Sequence, residues 1–177
     1  MAIPESALLI IDMQRGLFYA HPAPHAAETV LSNTLLLTEK AMLAGAPVFF
    51  ARHTGPDNSP FGEQSPLTQL IPELIVHAEK DRVFTKRFAS CFRETELLQQ
   101  LRQKGIKRLI IAGMKTEFCV DTTCRIAAEL GFQVVLISDA HTTIDNEHLL
   151  AEQIIAHHNR TLAGPFVSLK TAAEFSF

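Results

Sequence analysis

A chain of 177 residues suits one domain with a full core, and 47% hydrophobic against 20% charged residues is the composition of a folded protein, not a disordered one. A formal net charge of −3, with no stripe of Arg and His, gives no footprint for nucleic acid, and no apolar run is long enough to span a membrane. The opening MAIPESALLIIDM lacks a basic leader region and its apolar run ends in Asp12, so it does not read as a signal peptide, and the expected location is the cytoplasm.

In chain order, Ala7–Met13 is a continuous apolar run, the pattern of a strand buried on both faces. Ala26–Ala44 reads as a helix, with Val30, Leu31, Leu35, Leu37, Met42 and Leu43 on its apolar side; Gly45 stops it and Pro47 opens the strand Pro47–His53. Thr54–Pro72, rich in Gly, Pro, Asp, Asn and Ser, lacks periodicity, and a loop of that length in a compact domain usually carries function or moves; a lid is expected here. Arg82–Lys86 is a short strand and Thr95–Lys104 a helix stopped by Gly105. Arg108–Met114 is a second fully apolar strand, followed by a helix over Val120–Leu130 and a strand over Gln133–Ala140. His148–Leu162 is the last helix and Phe166–Leu169 the last strand, with a helical turn expected in the tail from Thr171.

Continuous apolar strands that alternate with helices imply an α/β fold, a three-layer, Rossmann-like and mostly parallel sheet of about six strands flanked by helices, in a single domain spanning residues 1–177. No repeat or interdomain linker interrupts it. In such sheets ligands bind beyond the carboxyl ends of the strands. Asp12 lies near the end of the first strand, Lys86 at the end of the third, and Cys119 just after the fourth, so all three fall on that edge.

An acid, a cation and a thiol in one place form a nucleophilic site. The cation favours thiolate, and the carboxylate takes the thiol proton and later returns it. Cys119 also stands between a strand and a helix start, where free N–H groups and the helix dipole favour thiolate as well. Taken singly, each residue has a plainer reading: Asp12 as a turn cap, Lys86 as a solvated cation, Cys119 as core. Cys91 and Cys124 read as packing residues. An odd number of cysteines argues against a disulfide framework, and the Cys119/Cys124 spacing suits neither a zinc nor a thioredoxin motif.

With these residues in view, the chain resembles the isochorismatase-like cysteine hydrolases, a family that includes nicotinamidases and N-carbamoylsarcosine amidohydrolase. The resemblance rests on ALLIIDMQRGLF (Ala7–Phe18), PVFFARH (Pro47–His53), K-x-x-x-S-x-F-x-x-T-x-L from Lys86 to Leu97, GMKTEFCVDTT (Gly113–Thr123), VVLISDAHTT (Val134–Thr143) and AEQIIAHHNRTL (Ala151–Leu162), in that order. It implies that Asp12, Lys86 and Cys119 are the catalytic aspartate, lysine and nucleophile. It also implies a cis peptide at Met114–Lys115 and an oxyanion hole made by the backbone N–H groups of Lys115 and Cys119. The implied activity is hydrolysis of an amide, ureide or related C–N bond through a thioester. Family members often complete the pocket with a neighbouring subunit, so a dimer or larger homo-oligomer is expected.

The departures are equally informative. Nicotinamidases carry a metal set that begins Asp-x-His after the second strand; here that stretch reads Ala51-Arg52-His53. No metal and no other cofactor is therefore expected, and nicotinamide is not the expected substrate. His21, His25, His77 and His141 are scattered and read as surface or hydrogen-bonded residues. True isochorismatases cleave a vinyl ether without a cysteine, so Cys119 favours amide-type chemistry. Gln14, Phe18, Arg52, His53 and Glu117 are the candidate substrate contacts, with Phe18 read either as an apolar wall or as core. Asp121 and Asp139 read as helix-start and strand-end hydrogen-bonding residues. The rival from another class is a small-molecule-binding or thiol redox-sensing protein that uses Cys119 without turnover. A Rossmann nucleotide binder is a poor third, because no G-x-G-x-x-G follows the first strand.

Overall fold

A computed structural model describes residues 5–177. Six strands form one sheet: β1 (Ser6–Ile11), β2 (Val48–His53), β3 (Arg82–Lys86), β4 (Arg108–Met114), β5 (Gln133–Thr142) and β6 (Ser168–Lys170). Their order is β3-β2-β1-β4-β5-β6 and every pairing is parallel. The helices are α1 (Arg15–Phe18), α2 (Ala27–Ala44), α3 (Leu97–Gln103), α4 (Asp121–Glu129) and α5 (Ala151–Leu162). None is long and apolar enough to cross a membrane.

Alternation along β1 builds the two faces of the core. Leu8 and Ile10 join Val30, Leu37 and Ala41 of α2 on one face, together with Ala172 and Phe175 of the tail. Ala7, Leu9 and Ile11 join Leu97 and Leu101 of α3, Val120 just before α4, and Cys124 and Ala127 of α4 on the other. With both faces covered, β1 has no polar side to show, which is why its sequence carries a continuous apolar run.

The expected elements are present, with shifted ends. The last helix starts at Ala151 rather than His148, because Asn146 Oδ1 accepts from the N–H groups of His148 and Leu149, and Asp145 Oδ1 takes the N–H of Ala151 at 2.7 Å. The helix after β4 begins earlier than expected. One π-helical turn over Thr116–Val120 runs straight into α4, so Cys119 lies inside the wound segment instead of ahead of it. α1 has no periodic signal and was not expected. The supposed lid is partly a fixed strap: Ile71 N–H bonds to Met13 O, Arg15 N–H bonds to Gln69 O, and Pro66–Thr68 forms a short 3₁₀ turn.

The central strands meet closely at Gly113, whose φ is +121° and whose missing Cβ would collide with the Ile11 backbone. That contact keeps the ends of β1 and β4, and therefore Asp12 and the Cys119 turn, side by side. Gly113→Ala is expected to lower stability by at least about 2 kcal/mol, from strain at an unfavourable φ plus the clash. Urea unfolding checks this; an unchanged midpoint would mean that β1 can withdraw freely.

Candidate active site

Where β1 ends, Asp12 adopts the left-handed conformation, φ +54°, which Asp tolerates better than most residues. Its N–H still bonds to Ala51 O, while its own carbonyl accepts from Gln14 N–H at 2.8 Å. The chain thus turns sharply and leaves the carboxylate buried at the sheet edge. Lys86 ends β3 opposite His53 of β2, and its stem is buried as well. Cys119 reaches the same point from its π turn and stays partly exposed.

The Lys86 ammonium joins them. Nζ lies 2.8 Å from Asp12 Oδ2, 3.2 Å from Cys119 Sγ, 3.3 Å from His53 Nδ1 and 3.2 Å from the Phe88 carbonyl. Burial pushes Lys86 toward its neutral form, but Asp12 and the neighbouring thiols outweigh it and its pKa rises. Burial raises Asp12 above an ordinary carboxylate, with Lys86 opposing, so Asp12 is a stronger base than usual. Its Oδ1 is buried and has no hydrogen-bond partner among the described residues.

The sequence points to a pull toward thiolate at Cys119, and the buried site opposes it. Burial first, and the Asp12 carboxylate second, push its pKa up to about 12, against the pull of Lys86. The site therefore rests with its proton on sulfur. Cys91 and Cys124 are fully buried in the core, and burial raises both thiols.

His53 is brought to the site, and burial, then Lys86, lowers its pKa, so its neutral Nδ1 accepts from the ammonium. Glu117 lies on the Cys119 turn: Thr143 donates to Oε1 at 2.9 Å, while Oε2 is buried without a partner among the described residues. The peptide bond between Met114 and Lys115 is cis. The Lys115 carbonyl accepts from the N–H groups of Phe118 and Val120, both at 3.2 Å, and not from that of Cys119 between them.

Three expected substrate contacts are corrected. The Gln14 amide is consumed internally: Nε2 donates to His53 O and Thr68 O at 2.9 and 2.8 Å, and Oε1 accepts from His53 N–H. Gln14 thus fixes His53 and the strap. Phe18 is 5% exposed within the α2-side core and is not a pocket wall. Arg52 turns away from Lys86, its guanidinium bound to Thr68 O, Thr68 Oγ1 and Glu63 O. Sequence reasoning also set His141 aside as scattered. It is buried, and its Nδ1 lies 2.9 Å from Thr116 Oγ1 on the same turn as Cys119.

Asp12, His53 and Cys119 present donor atoms within 4.8 Å of one another, a spacing a metal ion could use. The Lys86 ammonium lies within hydrogen-bonding distance of all three and repels a cation there. Ala51 offers no donor where the nicotinamidase pattern needs an aspartate. These residues do not fit a resident metal.

The isochorismatase domain model matches residues 6–161. The isochorismatase-family protein YddQ of Bacillus subtilis is 30% identical, over 96% of this chain and 98% of its own. Nicotinamidase 3 of Arabidopsis thaliana is 31% identical, over 80% of this chain and 75% of its own. The crystal structure of an isochorismatase family protein superposes with a TM-score of 0.88 at 32% identity, covering 96% of this chain and 100% of that one. A family domain over most of the chain, and relatives matched nearly end to end, establish that this protein is a hydrolase of the isochorismatase family.

Proposed function

We propose that the protein is a cysteine-dependent, metal-independent hydrolase of a small amide, ureide or related C–N bond, working through a thioester. The observation that carries this reading is the buried Lys86 ammonium, within 2.8 Å of the Asp12 carboxylate and 3.2 Å of Cys119 Sγ.

Asp12 takes the Cys119 proton as sulfur bonds to the carbonyl carbon. Lys86 compensates the charge that moves onto sulfur. The carbonyl electron pair shifts to oxygen, which rests on the backbone N–H groups of Lys115 and Cys119. The C–N bond then breaks and the amine leaves with the proton held by Asp12. Water, deprotonated by Asp12, attacks the thioester; the C–S bond breaks, and sulfur takes that proton back as the acid departs.

The raised pKa of Asp12 supports its role as base, because a carboxylate nearer neutrality accepts a thiol proton at less cost. A redox sensor is less well supported, since sensor thiols have low pKa values and this one is held high. The unpartnered Glu117 oxygen supports a substrate that carries an N–H donor and disfavours anions. Phe118, 57% exposed beside the nucleophile, is a surface that a neighbouring subunit would cover in a homo-oligomer. Three unpaired thiols accord with a cytoplasmic location.

Two measurements test the reading. Iodoacetamide alkylation of Cys119, followed by peptide mass spectrometry, should keep climbing into the alkaline range with no plateau near neutrality, while Cys91 and Cys124 stay unmodified. Asp12→Asn should speed alkylation at neutral pH, because it removes the charge that repels thiolate and frees Lys86; Lys86→Met should slow it. A wild-type plateau below neutral pH would falsify the proton placement. In the second, a panel of small amides and ureides, with nicotinamide as the expected non-substrate, is assayed for amine release. Cys119→Ala should lose on the order of 10⁴-fold or more in turnover of any substrate found, and Asp12→Asn should lose turnover despite its more reactive thiol. Undiminished turnover by Cys119→Ala would end the thioester mechanism.

A further inference from the structure

His141 comes to the site through an irregularity in β5. Ile111 of β4 pairs with Leu136, yet Gly113 pairs with His141, so residues 137–140 of β5 stand against the single residue 112. The extra residues carry His141 to the edge where the Cys119 turn begins. Its side chain is 1% exposed and both ring nitrogens are engaged, Nδ1 with Thr116 Oγ1 and Nε2 with Asn159 Oδ1 of α5, each at 2.9 Å.

The direction of every bond in this chain follows from its far end. The Ser138 carbonyl can only accept, and Asn159 Nδ2 donates to it at 3.3 Å. Asn159 therefore turns its oxygen to the ring, so the ring proton sits on Nε2. Nδ1 then holds a lone pair, and the Thr116 hydroxyl must donate to it. Burial, the largest influence, lowers the His141 pKa to about 4; Asn159 and Asp139 oppose this and His158 adds to it. The ring stays neutral near pH 7 and the Thr116 bond persists.

Thr116 is also buried, at 1% exposure, and it opens the π turn. Lys115 precedes it and Cys119 follows three residues later, so the two N–H groups assigned to the oxyanion flank it along the chain. We infer that His141, clamped by Asn159, is a positioning residue that sets these two donors by holding the Thr116 hydroxyl. This assignment rests on the acyl-transfer reading above.

The test compares two probes of Cys119 in the full-length protein. Iodoacetamide alkylates sulfur by displacement at a carbon, and no oxyanion forms at that carbon. p-Nitrophenyl acetate acylates sulfur through a tetrahedral oxyanion: Asp12 takes the thiol proton as the S–C bond forms, the ester C–O bond breaks, and nitrophenolate leaves with the electron pair. Thr116→Val preserves volume and removes the donor; His141→Phe keeps a ring and removes both bonds; Thr116→Ser retains the hydroxyl. The Val and Phe variants should alkylate at the wild-type rate and acylate about ten- to a hundredfold more slowly, with the Ser variant close to wild type. Should His141→Phe fail to fold, Thr116→Val carries the comparison. Equal losses with both probes, or no loss with either, would overturn the assignment. Wild-type protein that alkylates at Cys119 but never releases nitrophenolate would instead overturn the acyl-transfer reading, and this assignment with it.

Discussion

The site depends on one buried cation. An ammonium removed from water costs several kcal/mol unless it is compensated. Lys86 is compensated from four sides, by a carboxylate, an imidazole lone pair, a carbonyl and a thiol. Those partners come from β1, β2, the segment after β3 and the turn after β4, so the fold must bring four separate pieces of chain together. The parallel sheet, with β1 between β2 and β4, places these ends on one edge. Removing Asp12 or Lys86 therefore strands a charge, and Gly113 matters because its close approach to Ile11 keeps the end of β1 beside that of β4.

The same burial determines where the protons rest. A helix start and a nearby cation favour thiolate, but both act in a site where Asp12 already neutralises Lys86. The ion pair leaves little positive potential for sulfur, and burial decides the outcome. Burial thus raises both groups, keeping the proton on sulfur and making the Asp12 carboxylate a stronger base than an exposed one.

Much of this was legible in the sequence because fully covered strands leave unbroken apolar runs. Asp12 stood out by lying at the end of such a strand and Cys119 by following one, while Lys86 closes the short, partly exposed edge strand β3. What the sequence hid lies where that pattern stops. Beyond Asp12 the chain turns back in the left-handed conformation, so Gln14 points under His53 and Thr68, not toward substrate, and Phe18 enters the core. Arg52 and His53 are neighbours on β2, but alternation sends one to the strap and the other to Lys86. The early helix start has a similar cause: a π turn has no periodic signature of its own, so the wound segment seemed to begin after Cys119. His141 was invisible because QVVLISDAHT contains no glycine or proline to mark the four residues set against one.

These hidden features share a logic. Asp12 and Lys86 sit at strand ends, where the sheet holds them, while Gln14 and His141 reach their partners from irregular backbone. Gln14 fixes the His53 backbone, Arg52 and Gln14 share the Thr68 carbonyl, and His141 reaches Thr116 only because β5 departs from register. Within the closed sheet a two-residue period sends side chains into the core layers, so contacts such as those of Gln14 and His141 need a departure from it. An irregular strand can aim one polar side chain at a turn without disturbing the layers on either face.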